Sequence, residues 1–429
     1  MRSETNPVRA TAREFAASVA EGATGDAAAL LSPDGREAVV DSYPEGLGEV
    51  ADAEAALEQY AYGLYGEYGD FEAVETLAVD APCALAELAF ADGTQTLELG
   101  VEDGEVVAFS LPTSHEPPAY ADLDAFTERE VRVDAGDAAL DGVLAVPDGD
   151  GPFPGVVLVH GAGIHDADGT AGATKILRDF AWGLASEGVA VLRYEKRLHD
   201  HEVPAEDHTL DRVVVADAMA AVDDLRAVEA VAEDSVFVVG HSQGGTAAPR
   251  IAARHGGVAG VANLDGAVQQ VSDPETPVLK YEFEPDGDLS DEQEAELDAL
   301  RDQLRRVADG DYDPDEAVFG RPGRWHDSLR EYDAGATADE LDAPVFVATS
   351  GRADPEVQPE LAAFHERRFA AWNDLDLPEG SRVECYDDVG HYFREAHEPT
   401  TMAHLYFAGN VDGEVVADLA AWAQSVADA

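Results

Sequence analysis

A serine in a glycine-flanked turn between an apolar strand and a helix is the chain's strongest candidate for nucleophilic chemistry. The stretch is Ser235-Val-Phe-Val-Val-Gly-His-Ser-Gln-Gly-Gly245. Its valine-rich start reads as a parallel strand buried on both faces. The run from Gly245 to Arg254 reads as a helix. Ser242 therefore sits in G-x-S-x-G between strand and helix, the setting in which a hydroxyl projects from a strained turn. A Cβ at Gly240 or Gly244 would crowd that turn. The backbone N–H of Gln243 then lies at a helix N-terminus, aimed where an oxyanion would form. A purely structural turn is the blander alternative, and the pattern alone is weak among 39 glycines. The flanking strand and helix favour the nucleophile.

An acyl-transfer serine needs a base, an orienting acid and an oxyanion hole. The base is expected at His391, in Asp388-Val-Gly-His-Tyr-Phe after the last predicted strand. His365 and His404 read as packing or surface histidines. Two acids compete to hold the base. Asp354 lies in Ser350-Gly-Arg-Ala-Asp-Pro-Glu-Val, and Asp265 in Asn263-Leu-Asp-Gly, each after a predicted strand. The G-x-x-D pattern favours Asp354, which gives the chain order Ser242, Asp354, His391. The second oxyanion donor is expected from His160-Gly-Ala-Gly163, at Ala162, with Gly161 the neighbouring alternative.

These residues must be held by a sheet. Strands at Val156–Val159, Val189–Tyr194, Val236–Val239, Val258–Leu264, Val345–Thr349 and Arg382–Tyr386 alternate with helices over 172–186, 209–227, 358–373 and 413–427. A hairpin over Glu128–Val133 and Leu140–Val146 precedes them. The alternation predicts an α/β fold, a doubly wound, mostly parallel sheet. Each candidate falls at the carboxyl end of a strand, where such sheets bind ligands. An insertion over about 267–340 carries Tyr281, Phe283, Phe319, Trp325 and Tyr332, and is expected to cap the serine. Upstream, helices over 9–31 and Glu49–Leu64 precede period-two strands between Phe71 and Leu111 joined by Asp-Gly turns. The chain thus divides into an α+β domain over 1–115, a linker over 116–128 and the sheet domain over 129–429. The small domain holds no titratable cluster and reads as a packing or self-association module.

Composition limits the partners. Asp and Glu number 89 against 27 Lys and Arg, a net charge of −62. Nucleic acid and anionic membranes are poor partners on that ground. The acids are spread along the chain, as in proteins resembling those of salt-accumulating halophiles. At about 1 M salt the screening length is only ~3 Å, so self-repulsion largely vanishes. Cys83 and Cys385 suit a reduced cytoplasm rather than a disulfide framework. The first residues lack the apolar core of a signal peptide, and no stretch is long enough to span a membrane.

With H-G-A-G, Leu192-Arg-Tyr-Glu-Lys-Arg197, G-H-S-Q-G-G, G-R-A-D-x-x-V and G-H in this order, residues 129–429 resemble an α/β-hydrolase of the esterase and aminopeptidase-like serine-hydrolase group. Trp325-His-Asp-Ser-Leu-Arg-Glu-Tyr-Asp also resembles that group. One departure is Leu198-His-Asp-His-Glu, where the group has a glycine turn. Its histidines and acids, with His208, admit a metal site, although an exposed polar loop is the simpler reading. The resemblance implies hydrolysis of a carboxylic ester of small size without a cofactor. Amide or thioester cleavage by the same residues is the alternative, and a non-catalytic regulatory protein is the alternative of another class. By order of elements, the small domain resembles cystatin- or NTF2-like domains.

Overall fold

The computed structural model describes residues 7–44, 47, 50–269 and 277–429. The expected start of the second N-terminal helix at Glu49, and part of the expected cap at 270–276, lie outside them.

The first unit packs α1 (Pro7–Ala20), α2 (Thr24–Ala29), α3 (Pro33–Ser42) and α4 (Ala53–Tyr68) on one four-stranded sheet. Its strands β1 (Phe71–Asp80), β2 (Cys83–Phe90), β3 (Gly93–Glu102) and β4 (Glu105–Ser110) form an antiparallel meander. Alternation buries Leu97, Leu99 and Val101 of β3 against Phe15, Leu57 and Tyr60 of the helices. Asp103 and Gly104, between β3 and β4, have φ of 50° and 88°, as a type I′ hairpin turn demands. Helix α3 was not read from the sequence. Its start is marked by Ser32, whose Oγ accepts from the Gly35 N–H at 3.0 Å, followed by Pro33.

The second unit is an eight-stranded sheet in the order β16-β15-β12-β11-β7-β10-β6-β5. Strands β5 (Phe126–Asp134) and β6 (Ala139–Pro147) are the antiparallel hairpin at one edge. The other six run parallel: β7 (Phe153–Val159), β10 (Ala190–Tyr194), β11 (Val231–His241), β12 (Gly260–Leu264), β15 (Val345–Ser350) and β16 (Arg382–Tyr386). The fold is thus the α/β class expected, with an added α+β unit. Central strands are buried on both faces, so their sequences are apolar throughout rather than alternating. Helices α5 (Ile176–Ser186) and α14 (Gly413–Ala427) cover one face. Helices α7 (Ala216–Arg226) and α8 (Gln243–His255) cover the other. Helix α5 begins four residues later than expected, because β8 (Thr170–Ala171) and β9 (Thr174–Lys175) form a small hairpin there. Short α6 (Arg197–Asp200) follows β10.

Between β12 and β15 lies the cap. It contains α9 (Lys280–Phe283), α10 (Asp291–Asp309), a short hairpin of β13 (Ala317–Val318) and β14 (Arg321–Pro322), α11 (Gly323–Arg330) and α12 (Ala334–Asp339). Ser290 and Gln293 form a capping box that starts α10. Helix α13 (Pro359–Asn373) follows β15. The two units are tied together: Phe407 enters the core of the first, and Glu67 of α4 pairs with the buried Arg394. No helix among the described residues is long and apolar enough to cross a membrane.

Candidate active site

The turn after β11 has the strain its glycines foretell. Ser242 sits at φ 54°, ψ −117°, outside the regions an L-residue favours. A Cβ on Gly240 would lie 2.1 Å from the Gly244 carbonyl, and one on Gly244 would lie 2.4 Å from the Val159 oxygen. Only glycine lets helix α8 approach the sheet so closely. The Ser242 N–H donates to the Leu264 carbonyl at 2.8 Å, which ties the turn to the end of β12.

His391 lies within reach. Its Nε2 is 3.0 Å from Ser242 Oγ. Its backbone carbonyl accepts from His241 Nε2 at 2.8 Å. Burial, and then the neighbouring His391, push His241 down to about 3, so it is neutral and donates an N–H.

The acid beside His391 is Asp265, not Asp354. Asp265 Oδ2 lies 2.5 Å from His391 Nδ1. The carboxylate is fully buried, accepts two further hydrogen bonds, from the Ser350 N–H at 2.8 Å and Ser350 Oγ at 3.0 Å, and forms an ion pair with Arg368 Nη2 at 2.5 Å. Burial alone would raise this carboxyl. Arg368, the His391 contact and the Ser350 N–H outweigh it and hold the group well below the usual carboxylate range. Asp354 instead turns back on its own loop, where it accepts from the Glu356 and Val357 N–H groups at 2.8 and 3.2 Å. The expectation favouring Asp354 rested on a pattern that marks a strand-end turn. Its Ser350 contributes to the site by orienting Asp265. The signal for Asp265 was present in Asn263-Leu-Asp-Gly. Asp265 takes φ +59°, and a Cβ on Gly266 would lie 2.7 Å from the Ser242 carbonyl. This loop therefore packs directly on the nucleophile turn.

Gln243, the residue after Ser242, and Ala162 both line a cavity of about 250 Å³ under the cap. Gln243 opens helix α8, so its N–H has no acceptor within the helix. Gly161 does not line this cavity, and its backbone lies against the nucleophile turn, where an added Cβ would be 3.3 Å from Ser242 Cβ. The loop is braced by a residue not singled out in the sequence. Lys196 Nζ donates to the Gly161 carbonyl at 2.6 Å, and its N–H to the His165 carbonyl at 3.1 Å. Burial pushes Lys196 down to about 7, with Arg321 adding in the same direction. Arg368 was also missed, because α13 gives a surface-like pattern in sequence.

His365 and His404 are buried packing residues, as expected. In the departing loop, His199 and Asp200 lie near Glu195, with potential ligand atoms within 4.8 Å of one another. All are at least partly exposed. His201 and His208 turn elsewhere, toward the Ala139 carbonyl and Arg321.

A sequence profile of the alpha/beta hydrolase family matches residues 156–404. Esterase EstD of Thermotoga maritima is 31% identical over 377 residues, spanning 86% of this chain and 80% of its own. Among solved structures, the hyperthermophilic esterase of Pyrobaculum calidifontis is 18% identical with a TM-score of 0.43, covering 71% of this chain and 87% of its own. Est1E of Butyrivibrio proteoclasticus is 18% identical with a TM-score of 0.42, covering 70% and 99%.

Proposed function

The chain belongs to the alpha/beta hydrolase family, and from that premise we propose that it hydrolyses carboxylic esters through an acyl-enzyme on Ser242. The observation that carries this reading is the continuous contact from Ser242 Oγ through His391 to Asp265. His391 Nε2 takes the serine proton as Oγ bonds to the ester carbon. The carbonyl electron pair moves onto oxygen, facing the N–H groups of Gln243 and Ala162. Collapse breaks the carbon–oxygen bond to the alcohol, and the proton on Nε2 passes to the departing oxygen. Water repeats the sequence, which releases the acid and restores Ser242. Asp265 accepts from Nδ1–H, fixes the tautomer and stabilises the imidazolium. The Gly161 carbonyl and Ala162 N–H belong to one peptide unit. The hydrogen bond that Lys196 donates to that carbonyl therefore polarises the N–H that faces the oxyanion.

Labelling tests the reading. A fluorophosphonate probe should mark the protein, and Ser242→Ala should not be marked. Persistent labelling of the folded variant would overturn the assignment.

Three further parts of the reading rest on other observations. The net charge of −62 supports adaptation to molar salt, and the free thiols Cys83 and Cys385 suit a reducing cytoplasm. The melting temperature should climb steeply between dilute buffer and molar KCl, and indifference to salt would remove that part. Helices packed on an antiparallel meander support a cystatin- or NTF2-like kinship for residues 1–115, ahead of the linker expected at 116–128, whose last three residues already pair in β5.

A further inference from the structure

One cation under the cap has no acidic partner in a chain crowded with acids. Asp and Glu outnumber Lys and Arg by 89 to 27, and most of the arginines in this unit meet a carboxylate. Arg321, on the β13–β14 hairpin, does not. Among the described residues its guanidinium has one hydrogen-bond partner, His208 Nε2 at 3.0 Å, and lies over the Trp325 ring at 5.5 Å. Neither neutralises it. Burial, and then Arg321 itself, push His208 down to about 4, so that histidine is a neutral acceptor. Arg321 is half-buried and lines the same 250 Å³ cavity as the two oxyanion donors, Ala162 and Gln243. Phe319, Trp325 and Leu329 supply apolar wall, and the other arginine of the lining, Arg330, is already paired with Asp327. Lys196, behind the oxyanion loop, likewise lacks a carboxylate within ion-pair distance among the described residues. A strongly acidic molecule thus keeps an uncompensated positive site where its substrate would bind.

A cation withdrawn from water without a counter-charge is costly, and it is retained where the counter-charge arrives with a ligand. We infer that Arg321 determines specificity, and that the preferred substrates are esters carrying a carboxylate or similar anion that its guanidinium receives. This deepens the ester-hydrolase reading and rests on it. The long-range field of the chain repels anions, but at about 1 M salt that field is screened within ~3 Å while a direct contact survives. The planar guanidinium has the geometry for a two-point hold on a carboxylate. Among the described residues His208 is its one side-chain acceptor, and the residue lines the cavity.

Two matched ester pairs in molar KCl test this. One places the charge on the acyl side, 4-nitrophenyl hemisuccinate against 4-nitrophenyl butyrate. The other places it on the alcohol side, 4-acetoxybenzoate against its methyl ester. The wild type should favour the anionic member of at least one pair in kcat/KM. Arg321→Met keeps a stem to lie over Trp325 while removing the charge. It should lose roughly 10- to 100-fold on the favoured anion and about two-fold or less on the neutral partner. Arg321→Lys should recover part of the preference. An equal loss on both members, or a wild-type preference for the neutral member of both pairs, overturns the inference alone. Failure of the wild type to turn over any of the four esters would overturn the ester-hydrolase reading and this inference with it.

Discussion

The loops after β12 and β15 each leave a buried parallel strand and each carry an aspartate a short step beyond it, yet only the first meets His391. Asp265 follows Leu264 immediately and is sealed in by Ser350, Arg368 and His391. Asp354 comes four residues after the end of β15, is partly exposed and spends its carboxylate on the two N–H groups that follow it. A carboxylate can be buried only if its lone pairs are used and its charge is matched. The first loop supplies those partners from three separate parts of the chain. The second supplies them locally, which builds a turn. The difference lies in what each strand end packs against: Gly266 touches the nucleophile turn, whereas the Asp354 loop packs toward Arg352 and Glu398.

Asp265→Asn should give the largest effect. The asparagine would keep the shape while favouring the wrong histidine tautomer. In the well-studied serine proteases this change lowers kcat by ~10⁴. Steady-state kinetics on a reactive ester, with circular dichroism to verify folding, measure it. A folded variant with kcat near wild type would break the comparison at its stronger end.

Much of this was legible in sequence, and the reasons are specific. The Ser242 turn is encoded locally, by glycines whose missing side chains are needed within a few residues. His391 follows from a strand end and the shortage of rivals. The apolar strands announce the parallel sheet. The acid was not legible, because two strand ends look alike one residue at a time. They are told apart by Arg368, some hundred residues from Asp265 and on a helix face that reads as surface. Lys196 shows the same limit. Its neighbour Arg197 pairs with Asp217, but only the fold reveals that the lysine turns the other way, onto the Gly161 carbonyl.

Arg368→Met sharpens the comparison from the partner's side. Wild-type Asp265 has a depressed folded-state pKa. Its contribution to stability is therefore present above the unfolded value near 3.9 and is lost as pH falls through the folded value. Without Arg368, burial acts on the carboxyl with less opposition and the folded value rises. Acid unfolding should therefore begin at higher pH. At neutral pH a loosened His391 should lower kcat by about 10²-fold, the effect of a misplacement near 1 Å. An acid-unfolding transition that stays in place would show that Arg368 does not govern the carboxylate.

Asp354 should give the smallest effect, and it tests the comparison at its weaker end. Its Oδ1 caps the turn into α13 by accepting from Glu356 and Val357. An asparagine oxygen can accept the same two bonds, so Asp354→Asn should leave kcat within about two-fold, the scatter of an ordinary exposed substitution. Alanine removes the acceptor altogether. Asp354→Ala should therefore cost about 1 kcal/mol of stability, the net worth of a hydrogen bond in a turn, while kcat per folded molecule stays close to wild type. Chemical denaturation in high salt reads the first quantity, and active-site titration with turnover reads the second. A drop of several orders of magnitude in Asp354→Asn, beside a mild effect in Asp265→Asn, would transfer the acid's role to the second loop. It would mean that the loop after β15 swings onto His391 once substrate is bound.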